Sequence, residues 1–528
     1  MNINVAAHKG SIKRTPSDTP KVKAPVAKPE LSTDHDKVSL SYLPQCPGVM
    51  PESVKEFDGK IAAGPTDSRL KVSVPRSFPT AAPDKNGNFL YTPDDPNFDS
   101  VNTFAVARQT LEIAQKYSDR EIPWSFSKDL GRDQMLIHPH AGKGTANAFY
   151  SSEAGSVNFF SYTGEDRNIY RTGLQSDVIA HEVGHAVLDA LRPNYIRSFS
   201  VPSGGYHESF GDMLSFLRAL HEPEVVDQLK AETKGDLSRS NVASRLAEQL
   251  GQTLVGTPSL RDAINDHKFA DQHFLTYLGD QKRDGANSFG TEPHAYANLF
   301  TGAFYDIFQA VYEKAAADPD VTFHQAIASA RDTVGGLLFR ATEIGPVGNP
   351  AYPEMAQAFI QADMIDNGGE NISEIASVFA ERNILNQRQL EQVSANISEV
   401  PNIRLRKAAL KEEGALEFLT EKAEALGLAK DVEYTFDNAY QNRKGETYLN
   451  FSSKRIGDLD DPDFGINEGS RYEGIGGLTL LFDKSGKLMA KTLDEITDRE
   501  MSDIKNFIRE SSHAEQFVSY SGSSSSHT

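Results

Sequence analysis

A five-residue pattern, in which two histidines enclose a glutamate and two further residues, constrains this chain more than any other feature. His181 and His185 stand four positions apart in the pattern, so on a helix they lie one turn apart and face the same way. Both imidazoles can then reach one tetrahedral zinc ion, while Glu182 lies beside them to act on the metal-bound water. The pattern therefore predicts a zinc hydrolase site that still needs a third ligand.

The residues around the pattern predict a buried helix. The segment 177–191 is apolar on most faces, begins after Ser176 and stops at Arg192 and Pro193. Two histidines in such a helix could be core side chains that are satisfied by hydrogen bonds. Their place on one buried turn beside a glutamate favours metal ligation instead.

A second segment, 206–220, supplies candidate carboxylates. Its apolar side chains recur at helical spacing and face a core; they are Phe210, Met213, Leu214 and Leu217. Glu208 and Asp212 share another stripe, which could be solvated, yet Gly204 and Gly205 before them suit a buried site. Glu208 can complete a site of two histidines and one glutamate whose fourth position stays open, and Asp212 can accept a hydrogen bond from a zinc-bound histidine. An open position is the catalytic arrangement.

With these residues identified, the sequence resembles the thermolysin-like gluzincin metallopeptidases, whose metal signature is HExxH followed by a glutamate four residues before an aspartate. The resemblance covers roughly residues 50–386 in family order. The segments that carry it are Asn147–Tyr150, Ser176–Ala180, Ser259–Asp262, Glu292–Tyr296, Leu299–Tyr305, Leu338–Thr342 and Val378–Ala380. It implies an α+β, two-lobed fold with a β-rich N-terminal lobe, a helical C-terminal lobe and zinc in the cleft between them.

The resemblance also implies roles for individual residues. Zinc would make hydroxide available near neutral pH, and Glu182 would act as the general base. His294 and Arg261 would donate hydrogen bonds to the oxyanion or to a nearby substrate carbonyl, and Asn147 with Ala148 would hold the peptide as an added strand. The expected reaction is internal cleavage of peptide bonds in a peptide or protein substrate.

Other interpretations stay open for several of these features. His294 could be only a turn residue after Pro293, and Arg261 could be a surface charge or the partner of an ion pair. The whole chain could be a non-catalytic or very narrow-specificity zinc-binding module on the same scaffold, or a hydrolase of non-peptide amides. Glu182 argues against the first alternative, and the Asn147–Ala148 pair argues against the second.

The chain departs from the family pattern at several points. His207 stands where the family usually has asparagine, and we expect it to point away from the metal. The spacing of the family's oxyanion-binding tyrosine falls on Phe199, with Tyr195 and Tyr206 as candidates. A charged stretch over residues 225–249 indicates a helical insertion near the cleft. Three acids, Asp262, Asp266 and Asp271, are available for Ca²⁺ as a second, weaker expectation.

Shifts in composition and the positions of turn residues divide the chain into five predicted parts. Residues 1–44 are expected to be disordered, because Lys, Pro, Ser and Thr dominate the start of the chain. A β-rich N-terminal lobe with the substrate strand over 45–175 and a helical zinc-binding lobe over 176–386 follow. A small accessory α/β domain is expected over 400–520, with a charged helix at 403–428, a hairpin at 477–492 and a helix at 496–510. The tail 521–528 is again expected to be disordered.

The overall composition narrows the partners and the compartment. A formal net charge of −20 argues against nucleic-acid binding, and Cys46 as the single cysteine excludes an internal disulfide. No apolar stretch is long enough to span a membrane, and no secretory signal follows the basic start of the chain. We therefore expect a cytoplasmic or non-classically exported protein, or a secreted one if the chain is a processed form. Oligomeric state has no signal in the sequence.

Overall fold

The computed structural model describes residues 37–198, 200–269, 293–398, 400–459 and 470–508, and it has a mixed α+β fold. The helices are α1 (Phe98–Tyr117), α2 (Ser127–Leu130), α3 (Ser176–Leu191), α4 (Val201–Ala219), α5 (Pro223–Thr233), α6 (Glu248–Leu250), α7 (Pro293–Ala316), α8 (Phe323–Ile344), α9 (Tyr352–Asp366), α10 (Ile372–Glu381), α11 (Gln387–Ser398) and α12 (Glu412–Lys422). The strands are β1 (Lys37–Tyr42), β2 (Ser53–Asp58), β3 (Leu70–Val72), β4 (Met135–Lys143), β5 (Ala148–Ser151), β6 (Ser156–Thr163), β7 (Ile169–Arg171), β8 (Arg245–Leu246), β9 (Arg261–Asp262), β10 (Tyr434–Gln441), β11 (Thr447–Asp458), β12 (Arg471–Phe482) and β13 (Leu488–Asp494).

The first large sheet has the strand order β3-β4-β6-β5, and β7 also pairs with β6. Strand β5 runs antiparallel to β6 and lies at the edge of this sheet. The longest element in this part of the chain is a helix: α1 is 20 residues long and buries most of its side chains. Residues 45–175 therefore mix strands with a long buried helix, which the expectation of a β-rich lobe did not include.

Disorder was predicted at both ends of the chain, and the structure describes only a small part of these segments. Strand β1 pairs antiparallel with β2, so the prediction of disorder over 1–44 is wrong for residues 37–42. Val38, Leu40 and Tyr42 of this strand are buried in the main core, which holds the strand in place. Residues 1–36 and the tail 521–528 lie outside the described residues.

The helix of the HExxH pattern is confirmed as α3, which ends immediately before Arg192. The second predicted helix is α4, which begins five residues earlier than expected, at Val201. Its start is set by Ser200, whose side chain accepts a hydrogen bond from the backbone of Ser203, with Pro202 in the first turn. In the stretch over 225–249 helix α5 ends at Thr233, because Lys234 takes the left-handed conformation, and only the short α6 follows at its end.

A second sheet, with the antiparallel order β10-β11-β12-β13, lies near the C-terminus. It is buried on both faces. One face presents Leu449, Phe451, Leu478, Leu480 and Phe482 to a separate hydrophobic cluster that includes Phe418 of α12. On the other face, Tyr448 and Leu481 pack into the main core. This alternation follows from the period of two along a strand.

The predicted hairpin is confirmed as β12 and β13, and a helix follows at 498–508. The charged segment 403–428 forms an α-helix only over Glu412–Lys422. Its first part is extended because the backbones of Ile403 and Leu405 hydrogen-bond Leu488 and Gly486 of the hairpin. None of the helices within the described residues is long and apolar enough to cross a membrane.

Candidate active site

The two helices that carry the predicted ligands cross at a pair of glycines. A Cβ atom added to Gly184 of α3 would lie 2.8 Å from the Cα atom of Gly211 in α4. A Cβ atom added to Gly211 would lie 2.8 Å from Nδ1 of His181. Only glycine allows two helix backbones to approach so closely. The crossing brings the face of α3 that carries the histidines against the face of α4 that carries Glu208.

Three predicted ligands meet at this crossing. Nε2 of His181 lies 3.1 Å from one carboxylate oxygen of Glu208, and Nε2 of His185 lies 3.7 Å from the other. One ligand atom from each residue lies within 4.8 Å of the others. Across the described ranges of the chain, this is the one group of three or more His, Cys, Asp or Glu side chains that could hold a metal ion.

Asp212 orients the first of these histidines. Its Oδ1 lies 2.8 Å from Nδ1 of His181, and Arg261 donates two hydrogen bonds to the same carboxylate, at 2.7 and 3.0 Å. Burial alone would raise the pKa of Asp212, but the Arg261 charge and the hydrogen bond from His181 hold it at about 2. The ionised carboxylate keeps Nε2 of His181 turned toward Glu208. Arg261 thus reaches the site as the partner of Asp212.

The ionisable groups at the crossing shift one another's pKa values strongly. Burial would raise the pKa of Glu208, but His294, His185 and His181 around it keep it well below its ordinary value. Burial would lower the pKa of His181, but hydrogen bonds to Asp212 and Glu208 raise it to about 10. Burial lowers the pKa of His185 to about 3. Two imidazoles and a glutamate, with a second carboxylate behind them, fit the donor set of zinc.

Glu182 lies beside the donor group without belonging to it. It is only 2% exposed, and burial raises its pKa to about 7. The backbone of Tyr150, in strand β5, lies close enough to this carboxylate to lower its pKa slightly. Glu182 therefore lies between the zinc-motif helix and the edge of the first sheet.

Strand β5 is the segment that the sequence predicts to hold substrate. Ala148 is its first residue and Asn147 directly precedes it, with the Asn147 carbonyl accepting a hydrogen bond from Thr172 at 2.9 Å. Among the described strands, β5 pairs only with β6, so its other edge has no strand partner. An exposed strand edge can take up an extended peptide as a further strand.

Asp189, which sequence reasoning missed, ties the same strand to α3. This buried carboxylate accepts hydrogen bonds from the hydroxyls of Tyr150 at 2.7 Å and Ser152 at 2.8 Å, and from Ser125. Helix α3 therefore bonds β5 through Asp189 at the Tyr150 side chain, and Glu182 lies near the Tyr150 backbone. The signal for Asp189 was its position seven residues after Glu182, which places both acids on one face of the helix.

His294 reaches the centre from the first turn of α7. Its Nε2 lies 3.1 Å from Oε2 of Glu208, the same oxygen that faces His181. The structure thus places the predicted catalytic histidine at the donor group, in a helix rather than in a turn. It also brings together every described residue that the sequence proposed for this site, with Asn147 and Ala148 on the neighbouring strand.

The family departures can be located as well. His207 is not one of the three donors, but its ring centre lies 5.7 Å from that of His185. The hydroxyls of Tyr195 and Tyr206 are buried and lie 2.7 and 2.8 Å from the Pro346 carbonyl and the Thr342 hydroxyl, around the end of α8. Phe199 lies outside the described residues.

The expected calcium ligands form no comparable group. Asp262 Oδ1 accepts a hydrogen bond from the backbone of Ile264, which makes a local turn. Asp262 and Asp266 belong to no group of three donors among the described residues, and Asp271 lies outside them.

Comparison with known proteins gives a family for the region that holds this site. Residues 126–386 match the fungalysin metallopeptidase (M36) family. An extracellular metalloproteinase of Pyricularia oryzae is 22% identical over 307 residues, which are 54% of this chain and 44% of that protein. An extracellular metalloproteinase of Aspergillus fumigatus is 21% identical over 331 residues, 61% of this chain and 47% of that protein. The chain thus spans about half the length of these relatives.

A solved structure, the precursor of protealysin, a metalloproteinase from Serratia proteamaculans, is also similar to part of the chain. It is 12% identical, covers 60% of this chain and 88% of its own, and has a TM-score of 0.37. A score this low adds nothing to the family match. The match itself spans α3, α4 and the whole of α7, and so contains all the residues of the donor group. Residues 126–386 of this chain are therefore similar to the fungalysin metallopeptidase (M36) family.

Proposed function

We propose that this chain is a zinc-dependent endopeptidase that cleaves peptide bonds, with Glu182 as the general base. The observation that carries the proposal is the group of His181, His185 and Glu208, which converge within 4.8 Å beside a buried glutamate. A module that only binds zinc has no need of a carboxylate in that position. The fungalysin match over the same residues supports the same reaction.

His181, His185 and Glu208 would hold the metal, and Asp212 would keep His181 in the ligating orientation. When bound, zinc supplies Lewis acidity that polarises the scissile carbonyl and lowers the pKa of a water molecule. Glu182 takes the proton of the attacking water and delivers it to the leaving amine.

His294 belongs to α7, a different helix from the three metal ligands, and contacts Oε2 of Glu208. We propose that it donates a hydrogen bond to the carbonyl oxygen of the scissile bond as negative charge develops there. The 3.1 Å distance between its Nε2 and Oε2 of Glu208 supports this role. Arg261 is proposed to contact a neighbouring substrate carbonyl from its position on Asp212.

The substrate is proposed to add to the free edge of β5 as an extended strand. The backbone of Ala148 would pair with it, and Oδ1 of Asn147 would accept one of its N–H groups. That oxygen is buried and has no hydrogen-bond partner within the described structure, which supports this role. The hydrogen bond from the Tyr150 hydroxyl to Asp189 would hold the strand against the helix that carries the base.

The remaining organisation is also proposed. The thermolysin-like division would place a substrate-binding lobe over 45–175 and a zinc-binding lobe over 176–386, with the cleft between them, followed by an accessory domain over 400–520. The relatives are named extracellular, which favours the secreted form over a cytoplasmic one.

The test compares the purified chain with Glu182→Gln on a quenched fluorescent peptide library, with zinc content measured in both. Glu417→Gln, at an exposed position of α12, is the matched control. We expect cleavage by the natural chain and by the control, and a fall of at least 10³-fold in Glu182→Gln with zinc retained. Cleavage by Glu182→Gln at the natural rate would refute the proposal, and so would full zinc loading of the natural chain without cleavage.

A further inference from the structure

The two histidines of the motif differ in what supports them. Nδ1 of His181 bonds Asp212, whereas Nδ1 of His185 is buried and has no hydrogen-bond partner among the described residues. The neighbouring ring, His207, has an Nε2 atom that is likewise buried and without a partner in the described part of the chain. The two ring centres lie 5.7 Å apart with an angle of 40° between the planes.

An unpaired polar atom in a protein interior costs about 1–3 kcal/mol, so two of them on adjacent rings call for an explanation. Two imidazoles that share a hydrogen bond of about 3.0 Å have ring centres roughly 5.3 Å apart. The observed 5.7 Å separation is therefore a few tenths of an ångström from direct bonding distance. Small rotations of the two rings close such a gap.

The orientation of His185 determines which atom needs the partner. Its Nε2 faces Glu208 at 3.7 Å and is its atom in the donor group. A histidine that binds zinc through Nε2 carries its proton on Nδ1, and that N–H almost always donates to an acceptor. Asp212 supplies the acceptor for His181, and the described structure shows none for His185.

We propose that His207 is the positioning residue for the second zinc ligand, with its Nε2 accepting the Nδ1–H of His185. The bond fixes His185 in the tautomer that leaves Nε2 free for the metal. It also requires His207 to carry its own proton on Nδ1. His207 precedes Glu208 on α4, so one turn of this helix would supply both a ligand and the support of another ligand. The inference rests on the proposed function, because it assigns His185 to zinc.

The test measures the zinc dissociation constant of the full chain by competition with a chromophoric chelator. The key pair is His207→Gln, whose amide can place an acceptor near the position of Nε2, and His207→Met, which has a similar shape without a strong acceptor. His221→Gln is the control, because His221 is a partly buried histidine that bonds Tyr117 beyond the other end of α4.

We expect His207→Met to bind zinc 10- to 100-fold more weakly than the natural chain, and His207→Gln to recover most of the loss. The zinc dissociation constant of His221→Gln should stay within about 2-fold of that of the natural chain, because His221 does not contact a zinc ligand. Met and Gln variants that bind zinc equally well, or equally badly, would overturn the proposal. If His207→Met does not fold, histidine-labelled NMR of the zinc-loaded natural chain replaces it: a solvent-protected Nδ1–H on His185 is expected, and a rapidly exchanging one overturns the proposal.

These outcomes are separable from those of the proposed function. A natural chain that binds zinc and cleaves peptides, with no effect of His207→Met on affinity, refutes only the role of His207. A natural chain that binds zinc but cleaves nothing refutes the peptidase, while the affinity series still decides the role of His207.

Discussion

The crossing of α3 and α4 at Gly184 and Gly211 makes a sharp prediction about the zinc centre. In Gly184→Ala the new Cβ atom would lie 2.8 Å from the Gly211 Cα atom, whereas ordinary contacts are 3.4–4 Å. The position of the new Cβ atom is fixed by the backbone of α3, and the Gly211 Cα atom is part of the backbone of α4. No flexible side chain can therefore move aside to relieve the contact. The helices must separate by roughly 1 Å, an overpacking that costs about 1–3 kcal/mol.

The separation acts directly on the metal ligands, since His181 and His185 lie on one helix and Glu208 on the other. A zinc site tolerates ligand displacements of only about 0.2 Å. We therefore expect Gly184→Ala to weaken zinc binding by at least 10-fold, which is about 1.4 kcal/mol. Chelator competition measures the affinity, and urea unfolding measures stability.

Gly336→Ala is the matched control. Gly336 lies in helix α8, and an added Cβ atom there would meet nothing within 4 Å. This control should keep its zinc affinity and gain up to about 1 kcal/mol, because alanine is the better helix former. If Gly184→Ala binds zinc as tightly as Gly336→Ala does, the close crossing does not set the metal geometry.

Three further perturbations test other parts of the structure. Arg192→Met removes a buried guanidinium that bonds the Thr342 carbonyl at 2.7 Å and Asn450 of the C-terminal sheet at 2.9 Å. Its free energy of unfolding should be about 3 kcal/mol lower than that of the exposed control Arg388→Met. Equal urea midpoints would show that this contact is not stabilising. Tyr150→Phe loses the hydrogen bond to Asp189. Steady-state kinetics should then show a KM raised several-fold while the zinc affinity stays unchanged. An unchanged KM would contradict a role for that bond in positioning the strand. Burial raises the pKa of Asp494 to about 7, so its stabilising contribution is full below pH 4 and is lost as pH rises through 7. The natural chain should lose roughly 4 kcal/mol of unfolding free energy relative to Asp494→Asn over that range, and parallel stability curves would refute this expectation.

Patterns within short stretches of sequence predicted the helices and strands that depend on neighbouring residues. The helix around His181 and the hairpin of β12 and β13 follow from spacing and turn residues within about 15 positions of sequence. Strand β11 was missed because both of its faces are buried, so its sequence lacks the alternation of a half-exposed strand. The extended start of 403–428 was missed because its partner, the hairpin at Gly486, lies far along the chain.

The candidate site shows the same division. Residue spacing predicted that His181 and His185 could bind one metal ion, since i and i+4 positions share a helix face, and that Glu208 could join them. It could not predict that Arg261 would bond Asp212, because those residues are 49 positions apart and meet only through tertiary packing. The proposed contact of His207 with His185 could not be predicted from position either, because the direction of a helix neighbour depends on how α4 rotates against α3.

The measurement that tests the central claim most directly is X-ray absorption at the zinc edge of the zinc-loaded full chain. A centre built from His181, His185 and Glu208 predicts a shell of nitrogen and oxygen ligands at about 2.0–2.2 Å, with the outer-shell signal of two imidazoles. Glu208→Gln should alter that first shell and lower the affinity. A sulfur ligand at about 2.3 Å, or a spectrum with no imidazole signal, would contradict the assignment of the zinc centre.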